Sequence, residues 1–356
     1  MTTGEIEAAG SAATGVRRLS AQARAGLDVA RASAALYVVL HHVVGTLQVP
    51  PVIDLAFSFG QEAVLVFFLL SGFVIFANEQ GRVARPGGYY LRRLRRIYPL
   101  VIIAMLVSFL LWLVGGIQHE LSAFSALGTL LSLQDISALK PGVISNPFLG
   151  NDPMWSLSYE VFFYAVFPLV MVGWRWSARI TRHAVGAIAV LAYVSYLVVP
   201  NHFSLVIAYF LLWWVGAMLA KTYLDGSLRA LSLIPEIAWL SALIGVAVVG
   251  MAMVGSAGLG VFPTLMVRHF AFAALLALIF LTPFRTLLAR ASGAFARPAA
   301  LIAASSYGLY VLHYPLLIQT GVSTTVWFIP ALLGTIVLAY LSDAVLARYL
   351  PRAPRT

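Results

Sequence analysis

Two features are scarce in this sequence of 356 residues: cysteine, which is absent, and charge, which only 10% of the residues carry. Without cysteine the chain has no disulfide, no thiolate nucleophile and no cysteine-ligated metal. A soluble domain carries about 25% charged residues. Because 61% of the residues are hydrophobic and the mean hydropathy is +0.91, lipid must replace water around most of the surface. The composition predicts a polytopic membrane protein.

Acidic residues are fewer than basic ones, 13 against 23, which gives a formal net charge of +10. Such a balance can indicate nucleic-acid binding. In a membrane chain, basic cytoplasmic loops explain it more simply, and we predict no nucleic-acid partner. Residues 1–26 are small and polar and lack the apolar core of a signal peptide. They are predicted to form a mobile cytoplasmic tail, and residues 348–356 a second, shorter one.

A membrane-spanning helix needs about 20 predominantly apolar residues. Ten segments meet this requirement, which predicts an all-α protein with about ten transmembrane helices. The segments are 29–49, 58–77, 98–116, 154–173, 183–200, 203–220, 233–254, 262–283, 300–321 and 325–346. Residues 121–134 are too short and too interrupted to span, and we expect them to be interfacial or re-entrant. Residues 27–347 therefore form one predicted integral domain.

The distribution of arginine predicts the orientation of these spans. An even number of spans puts both termini on one side of the membrane. Nearly all arginines fall on that side, including the cluster between residues 82 and 96. The opposite side retains Lys140 and, near a helix end, Arg268. This asymmetry places the N and C termini in the cytoplasm.

The first predicted span carries one arginine and two adjacent histidines. A helix advances about 100° per residue, so Arg31 and His42 share one face and His41 lies about 80° away. Along the helix axis, Arg31 and His42 are roughly 16 Å apart. We predict that both line one cavity, with Arg31 nearer the cytoplasm. Alternatively, Arg31 extends to the interface and the histidines pack against neighbouring helices. An ionisable group at this depth costs about 2.5 kcal/mol or more, which favours a functional role for His42.

Two further spans carry polar stripes. In the fourth span, Ser156, Glu160 and Tyr164 recur every four residues, and Glu160 is the only carboxylate well inside a predicted span. In the ninth span, Tyr310 and His313 share one face. A buried carboxylate needs a partner, so Glu160 is either part of a site or a hydrogen-bonding group between helices. For Tyr310, packing through its hydroxyl is the favoured alternative to a role in chemistry.

The stretch RVARPGGYYLRRLRRIYPL, residues 82–100, joins the second and third predicted spans. Its clustered arginines are Arg92, Arg93, Arg95 and Arg96. Guanidinium groups bind phosphate through two parallel hydrogen bonds, so the cluster could hold a polyanionic cytoplasmic ligand. Ordinary positive-inside topology with lipid phosphate contact also explains the cluster, and this explanation is favoured when the cluster is considered by itself. In the second span, the pair Ser71-Gly72 would let another backbone or a ligand approach closely.

Taken together, these stretches resemble the acyltransferase 3 family of integral membrane acyl-CoA transferases. The resemblance covers nearly all of residues 26–346. It rests on five motifs in order: GLDVARASAALYVVLHH, VFFLLSGFVI, YLRRLRRIYPL, MWSLSYEVFFY and SSYGLYVLHYP. The family patterns select Arg31, His42, Glu160 and His313.

One motif departs from the family pattern. Many members have Gly-Val-Asp before the paired phenylalanines, whereas this chain has Ala-Val-Leu at 63–65. If the aspartate assists catalysis in those members, Glu62 or Asp54 could replace it here.

The resemblance implies that an acyl group, usually acetyl, moves from cytoplasmic acyl-CoA to a hydroxyl of a saccharide or similar acceptor. It also implies a multi-pass protein of the bacterial cytoplasmic (inner) membrane, with acyl-CoA as co-substrate, lipid neighbours and no metal. The implied catalytic residues are His42 as general base, Arg31 and Glu160. The implied acyl-CoA-binding residues are Arg92, Arg93, Arg95, Arg96 and Ser71. The implied pocket-lining residues are Tyr310, His313, Ser156 and Tyr164.

Several alternatives stay open at this point. The acceptor could be a cell-surface saccharide or a secondary metabolite such as a macrolide, and longer acyl groups could replace acetyl. Transfer could be direct or could pass through an acyl-histidine. A membrane transporter or flippase would also bury polar groups, but it would show inverted repeats with paired broken helices, and no such repeat is apparent in the sequence.

Overall fold

The structure is a computed structural model that describes residues 19–227, 230–282 and 284–349. Within these ranges the chain is helical, with an isolated β-bridge but no β-strand. The helices are α1 (Ala21–Val44), α2 (Pro51–Ala56), α3 (Gly60–Glu79), α4 (Pro86–Leu113), α5 (Ala123–Leu130), α6 (Trp155–Trp176), α7 (Ala178–Val198), α8 (His202–Leu224), α9 (Ile234–Val254), α10 (Thr264–Leu281), α11 (Phe284–His313), α12 (Phe328–Tyr340) and α13 (Leu346–Tyr349). Short 3-10 turns cover Phe148–Gly150, Asp152–Met154, Ala230–Leu233 and Val322–Thr324, and π-helical turns cover Tyr314–Gln319 and Leu341–Val345.

Nine segments within the described ranges are long and apolar enough to cross a membrane, and a tenth, Phe328–Asp343, is apolar but shorter. They coincide with the ten predicted spans. The prediction of an all-α polytopic membrane protein with about ten transmembrane helices is therefore confirmed. Helices suit this environment because lipid offers no partner for backbone N–H and C=O groups. Residues 121–134, predicted not to span, contain the eight-residue helix α5.

Among the helix starts that differ from the sequence prediction, those of α1 and α4 bear on the candidate site. Helix α1 begins at Ala21, where the Ser20 hydroxyl accepts a hydrogen bond from the Ala23 amide at 3.0 Å and caps the helix. Residues 21–26 are thus helical rather than part of a tail. Helix α4 begins at Pro86 rather than at residue 98, so the arginine cluster forms its first turns. The predicted tail residues 1–18 and 350–356 lie outside the described residues.

Helix α8 lies at the centre of the bundle because it is apolar on every face, and nearly all of it is buried. It packs closely against α3 through two glycines. A Cβ on Gly72 would collide with the Trp213 carbonyl, and a Cβ on Gly216 would collide with the Leu69 carbonyl. Glycine is therefore required at this crossing, which fixes α3 and α8 relative to each other.

Polar side chains join the start of α6 and the 3-10 turn before it to the end of α11 and the π-helical turn after it. The hydroxyls of Ser156 and Tyr310 lie 2.9 Å apart. One turn further along, the Tyr314 hydroxyl donates to Asp152 Oδ2 at 3.4 Å. The Asn151 amide donates to the Val311 carbonyl at 2.9 Å. The contact between Ser156 and Tyr310 links the predicted polar stripes of the two helices at one level.

A buried ion pair closes the segment between α5 and α6. Lys140 Nζ lies 2.6 Å from Asp135 Oδ1, and both side chains are fully buried. The Tyr159 hydroxyl donates to Asp135 Oδ2 at 2.6 Å, and Lys140 Nζ lies 4.0 Å from the centre of the Trp155 ring. Burial lowers the pKa of Lys140, and the Asp135 carboxylate opposes that shift. Lys140, placed by the sequence on the outer side, is thus a structural cation rather than a solvated loop charge.

Replacing Lys140 by methionine should lower the free energy of unfolding by about 3–5 kcal/mol, because Asp135 would stay buried without its cation. The double variant Lys140→Met, Asp135→Leu should recover most of this loss, since it removes both charges. Thermal unfolding of the purified protein in detergent measures both effects. A single variant as stable as the parent, or a double variant no better than the single, would contradict this role for the pair.

Candidate active site

A cavity of about 590 Å³ lies between α1, α3, α4, α6, α11 and the π-helical turn that follows α12. Five arginines and two carboxylates are among its lining residues, so its wall carries an excess of positive charge. The lining includes ten of the residues predicted from the sequence, namely Arg31, Ser71, Arg92, Arg93, Arg95, Arg96, Ser156, Glu160, Tyr164 and Tyr310. The folded chain thus brings together residues that lie more than 270 positions apart in sequence.

The buried carboxylate of Glu79 holds two of the arginines in place. Arg92 donates to both oxygens of Glu79, from Nε at 2.9 Å and from Nη2 at 2.5 Å. Arg93 Nη2 lies 3.3 Å from Glu79 Oε1, and its guanidinium sits 5.6 Å from the centre of the Tyr164 ring. Glu79 itself is only 3% exposed. The guanidinium positions are therefore set by bidentate and stacking geometry rather than by free rotation of long side chains.

Another carboxylate, that of Asp343, lines the cavity itself and lies near the C-terminal end of the sequence. Arg96 forms an ion pair with Asp343 and lies over the Tyr307 ring, 5.5 Å from its centre. The other oxygen of Asp343 accepts from the Gly308 amide at 3.3 Å. The sequence analysis did not single out Asp343 or Glu79, because a carboxylate close to a helix end resembles an interfacial charge. Only the contact with an arginine of another helix reveals its place in the site.

Glu160 is half-buried in the cavity wall and is held by its neighbours. The Tyr164 hydroxyl, one turn along the same helix, donates to Glu160 Oε1. Ser71 Oγ lies 3.2 Å from the Tyr164 hydroxyl. Ser71 of the second motif and Glu160 of the fourth therefore belong to one polar group, although separate helices carry them.

His42 lies outside the cavity, next to His313 and Tyr314. It is absent from the lining residues but is half-buried and thus partly accessible. Its ring centre lies 5.3 Å from that of His313 and 4.9 Å from that of Tyr314. Helical phase predicted a single cavity shared with Arg31. In the structure Arg31 lines the cavity and His42 does not, and the ring of His313 lies next to both His42 and Tyr310 of the cavity wall.

His313 lies between the ring of His42 and Tyr310 of the cavity wall. Its ring centre is 6.3 Å from that of Tyr310 on one side and faces His42 on the other. The ring is fully buried. Its Nδ1 lies 3.0 Å from the Leu309 carbonyl, which requires a hydrogen on Nδ1 and leaves Nε2 as an acceptor in the neutral ring. That Nε2 has no hydrogen-bond partner among the described residues.

The adjacent histidine, His41, has a different environment. Its Nδ1 contacts the Phe57 carbonyl at 2.5 Å, and its ring fills the space that a side chain at Gly60 would need. His41 therefore packs α1 against the start of α3. Nδ1 of His41 is hydrogen-bonded to the backbone and is not free to act as a base.

The two acidic residues considered as substitutes for the family aspartate lie elsewhere. Glu62 is buried and pairs with Arg268, whose Nη2 lies 2.8 Å from Glu62 Oε1. Arg268 also donates to the Leu259 carbonyl at 2.9 Å. Asp54 lies on the exposed helix α2. Neither residue lines the cavity. Across the described ranges, no group of three or more histidine and acidic side chains is arranged to hold a metal ion.

Comparison with known proteins identifies the family. The family model of the acyltransferase domain, acyltransferase 3, matches residues 24–344. "Nodulation protein 10" of Rhizobium leguminosarum bv. viciae is 29% identical over 167 residues, which is 43% of this chain and 43% of that protein. "Acyltransferase MdmB" of Streptomyces mycarofaciens is 35% identical over 121 residues, 32% of this chain and 28% of that protein. The aligned regions thus span less than half of either relative, and no solved structure matches significantly. Because the family model matches nearly the whole length, the chain belongs to the acyltransferase 3 family.

Proposed function

We propose that this protein moves an acyl group, most simply acetyl, from acyl-CoA to a hydroxyl of a saccharide or another hydroxylated acceptor. One observation carries the proposal: Tyr310 in the wall of an arginine-rich cavity lies next to the ring of His313, which in turn lies next to His42. An anion site that leads to imidazole suits a donor with a phosphorylated end and a reactive thioester end.

The donor is proposed to enter from the cytoplasm, where the positive-inside distribution of arginine puts the mouth of the cavity and both termini. The CoA phosphates bind the guanidinium groups of α4, and Arg31 holds the donor on the opposite wall. Glu79 and Asp343 already bind some of these guanidinium groups. Each guanidinium has five N–H donors, so donors remain for phosphate. A carboxylate partner therefore orients a guanidinium without using all of its donors.

The acceptor is proposed to approach His42 from the side away from the arginines. His42, Asp152 and Tyr314 are each partly accessible, yet none of them lines the arginine cavity. Their accessible surface therefore faces elsewhere. An acceptor bound there meets the imidazole without passing the donor. This arrangement suits modification of an exported or cell-surface saccharide by a multi-pass protein of the bacterial cytoplasmic membrane.

The proposed chemical step is acyl transfer assisted by a general base. A nitrogen of neutral His42 takes the proton of the acceptor hydroxyl, and the hydroxyl oxygen forms a bond to the thioester carbonyl carbon. The carbon–sulfur bond then breaks, and the departing CoA sulfur takes the proton from the imidazolium. An imidazole has an ordinary pKa of about 6.5, which suits proton transfer in both directions near neutral pH.

Free CoA release tests the reaction class. Proteoliposomes are given labelled acetyl-CoA, and both CoA thiol and labelled acyl ester are measured. An acyltransferase releases CoA in proportion to enzyme, and release rises with a hydroxylated acceptor. A transporter, a flippase or a scaffold leaves acetyl-CoA intact. Release of no more CoA than from empty liposomes, with the protein folded and with acceptors such as glycosides present, would contradict the proposed function.

A further inference from the structure

Three hydrogen bonds in succession lead from the centre of the bundle to Glu160. Trp213 Nε1 lies 3.2 Å from Ser71 Oγ. Ser71 Oγ lies 3.2 Å from the Tyr164 hydroxyl, which in turn donates to Glu160 Oε1. Three helices contribute: α8, α3 and α6. Trp213 does not line the cavity and is fully buried, so it touches no substrate.

Donor chemistry gives this chain one consistent direction when the Tyr164 hydroxyl donates to Glu160. An indole N–H only donates, so Ser71 Oγ accepts from Trp213. The single hydroxyl hydrogen of Tyr164 goes to Glu160, so the Tyr164 oxygen accepts from Ser71. All three donors therefore point toward Glu160. The reverse direction, with a protonated Glu160 donating to Tyr164, would send two hydrogens to Ser71 Oγ and leave the Ser71 hydrogen without an acceptor in this chain.

We propose that Trp213 is a positioning residue that acts through Ser71 and Tyr164 to hold the Glu160 carboxylate in one orientation in the cavity. The chain satisfies Oε1 and leaves Oε2 without a hydrogen bond to any described residue, so Oε2 is the atom that a bound ligand meets. The inference rests on the proposed function and adds a role for Glu160, which lines the cavity proposed to hold the donor. The hydrogens stay where they are, so the chain orients a carboxylate rather than relaying a proton.

The surroundings of Trp213 make it a firm anchor for such a chain. Its ring packs on Phe167 with centres 5.3 Å apart and on Phe210 at 5.5 Å. The glycine crossing at Gly72 and Gly216 holds α8 against α3 on both sides of this contact. The distance from the indole to Ser71 is therefore set by backbone packing. Packing thus fixes the position of the indole N–H relative to the Ser71 hydroxyl, as a positioning residue requires.

The neighbouring tryptophan supplies a matched control. Trp214 is also fully buried on α8 and packs on Trp174 with ring centres 5.6 Å apart, but its Nε1 has no partner among the described residues. Trp213→Phe and Trp214→Phe each remove one indole from the same helix, and only the first removes a donor to the chain. Trp213→Phe should reduce kcat for CoA release about tenfold, as expected for one hydrogen bond in a polar network. The KM for acetyl-CoA should stay the same, and Trp214→Phe should keep the parent kcat.

Combination with Glu160→Gln separates positioning from packing. If Trp213 acts through Glu160, Trp213→Phe should cause no further loss of kcat in the Glu160→Gln protein. An equal tenfold loss in both backgrounds, or equal losses from Trp213→Phe and Trp214→Phe, would overturn the inference and leave the proposed function standing. Parent activity in Glu160→Gln itself would instead remove Glu160 from the proposed mechanism.

Discussion

Replacing His42 by alanine should reduce acyl transfer by about 10²- to 10⁴-fold, the usual contribution of a general base. His42 is partly accessible, whereas the neighbouring His313 is buried. Tyr314 packs edge-on against the His42 ring. The KM for acyl-CoA should change little, because the guanidinium groups proposed to bind phosphate line the cavity, whereas His42 does not. Initial rates with labelled acetyl-CoA and a saccharide acceptor give both parameters.

His41→Ala is the matched control, since it removes an imidazole from the adjacent position of the same helix. Most of the activity should remain, because His41 is bonded to the Phe57 carbonyl and packed under Gly60. Thermal unfolding in detergent shows whether either variant is misfolded. Loss of transfer in His41→Ala with retention in His42→Ala would reverse the assignment of the base.

Replacing Arg92 and Arg95 together by glutamine should raise the KM for acyl-CoA about a hundredfold. Each guanidinium contributes charge-assisted hydrogen bonds to phosphate, and each such bond is worth about 1.5–3 kcal/mol. The effect should fall mainly on KM, because phosphate contacts bind the substrate and the transition state equally well. The same CoA-release assay, run over a range of acyl-CoA concentrations, measures it.

Arg82→Gln with Arg85→Gln provides a control of equal charge. Both arginines are exposed in the turn before α4, and neither lines the cavity. These replacements remove the same two positive charges from the same side of the predicted topology. An unchanged KM in the Arg92 and Arg95 variant, or an equal rise in both double variants, would mean that the cluster serves topology and lipid contact rather than the donor.

The helices were predictable because a membrane span leaves a long apolar signal in the sequence. The start of α4 was not, because four of its residues between positions 92 and 96 are arginines, which count against burial in any hydropathy window. In the structure, Glu79 and Asp343 partly neutralise that charge from other helices. A partner more than 200 residues away cannot be read from local composition.

The polar stripes of α6 and α11 were also predictable, since residues four apart share a helix face. Ser156, Glu160 and Tyr164 all line the cavity, as does Tyr310. The place of His42 was not predictable from phase. Phase gives the face of one helix, whereas the lining of the cavity depends on how the other helices pack around it.

A structure with a non-hydrolysable acetyl-CoA analogue would test most directly whether the arginine cavity delivers an acyl group to His42. We expect the phosphates at the guanidinium groups of α4 and the thioarm running past Ser156 and Tyr310. The acyl carbonyl should lie close enough to His42 for an acceptor oxygen to fit between them, with that oxygen about 3–3.5 Å from the carbonyl carbon. An analogue bound outside the cavity, or an acyl group directed away from the imidazole, would contradict the proposed mechanism.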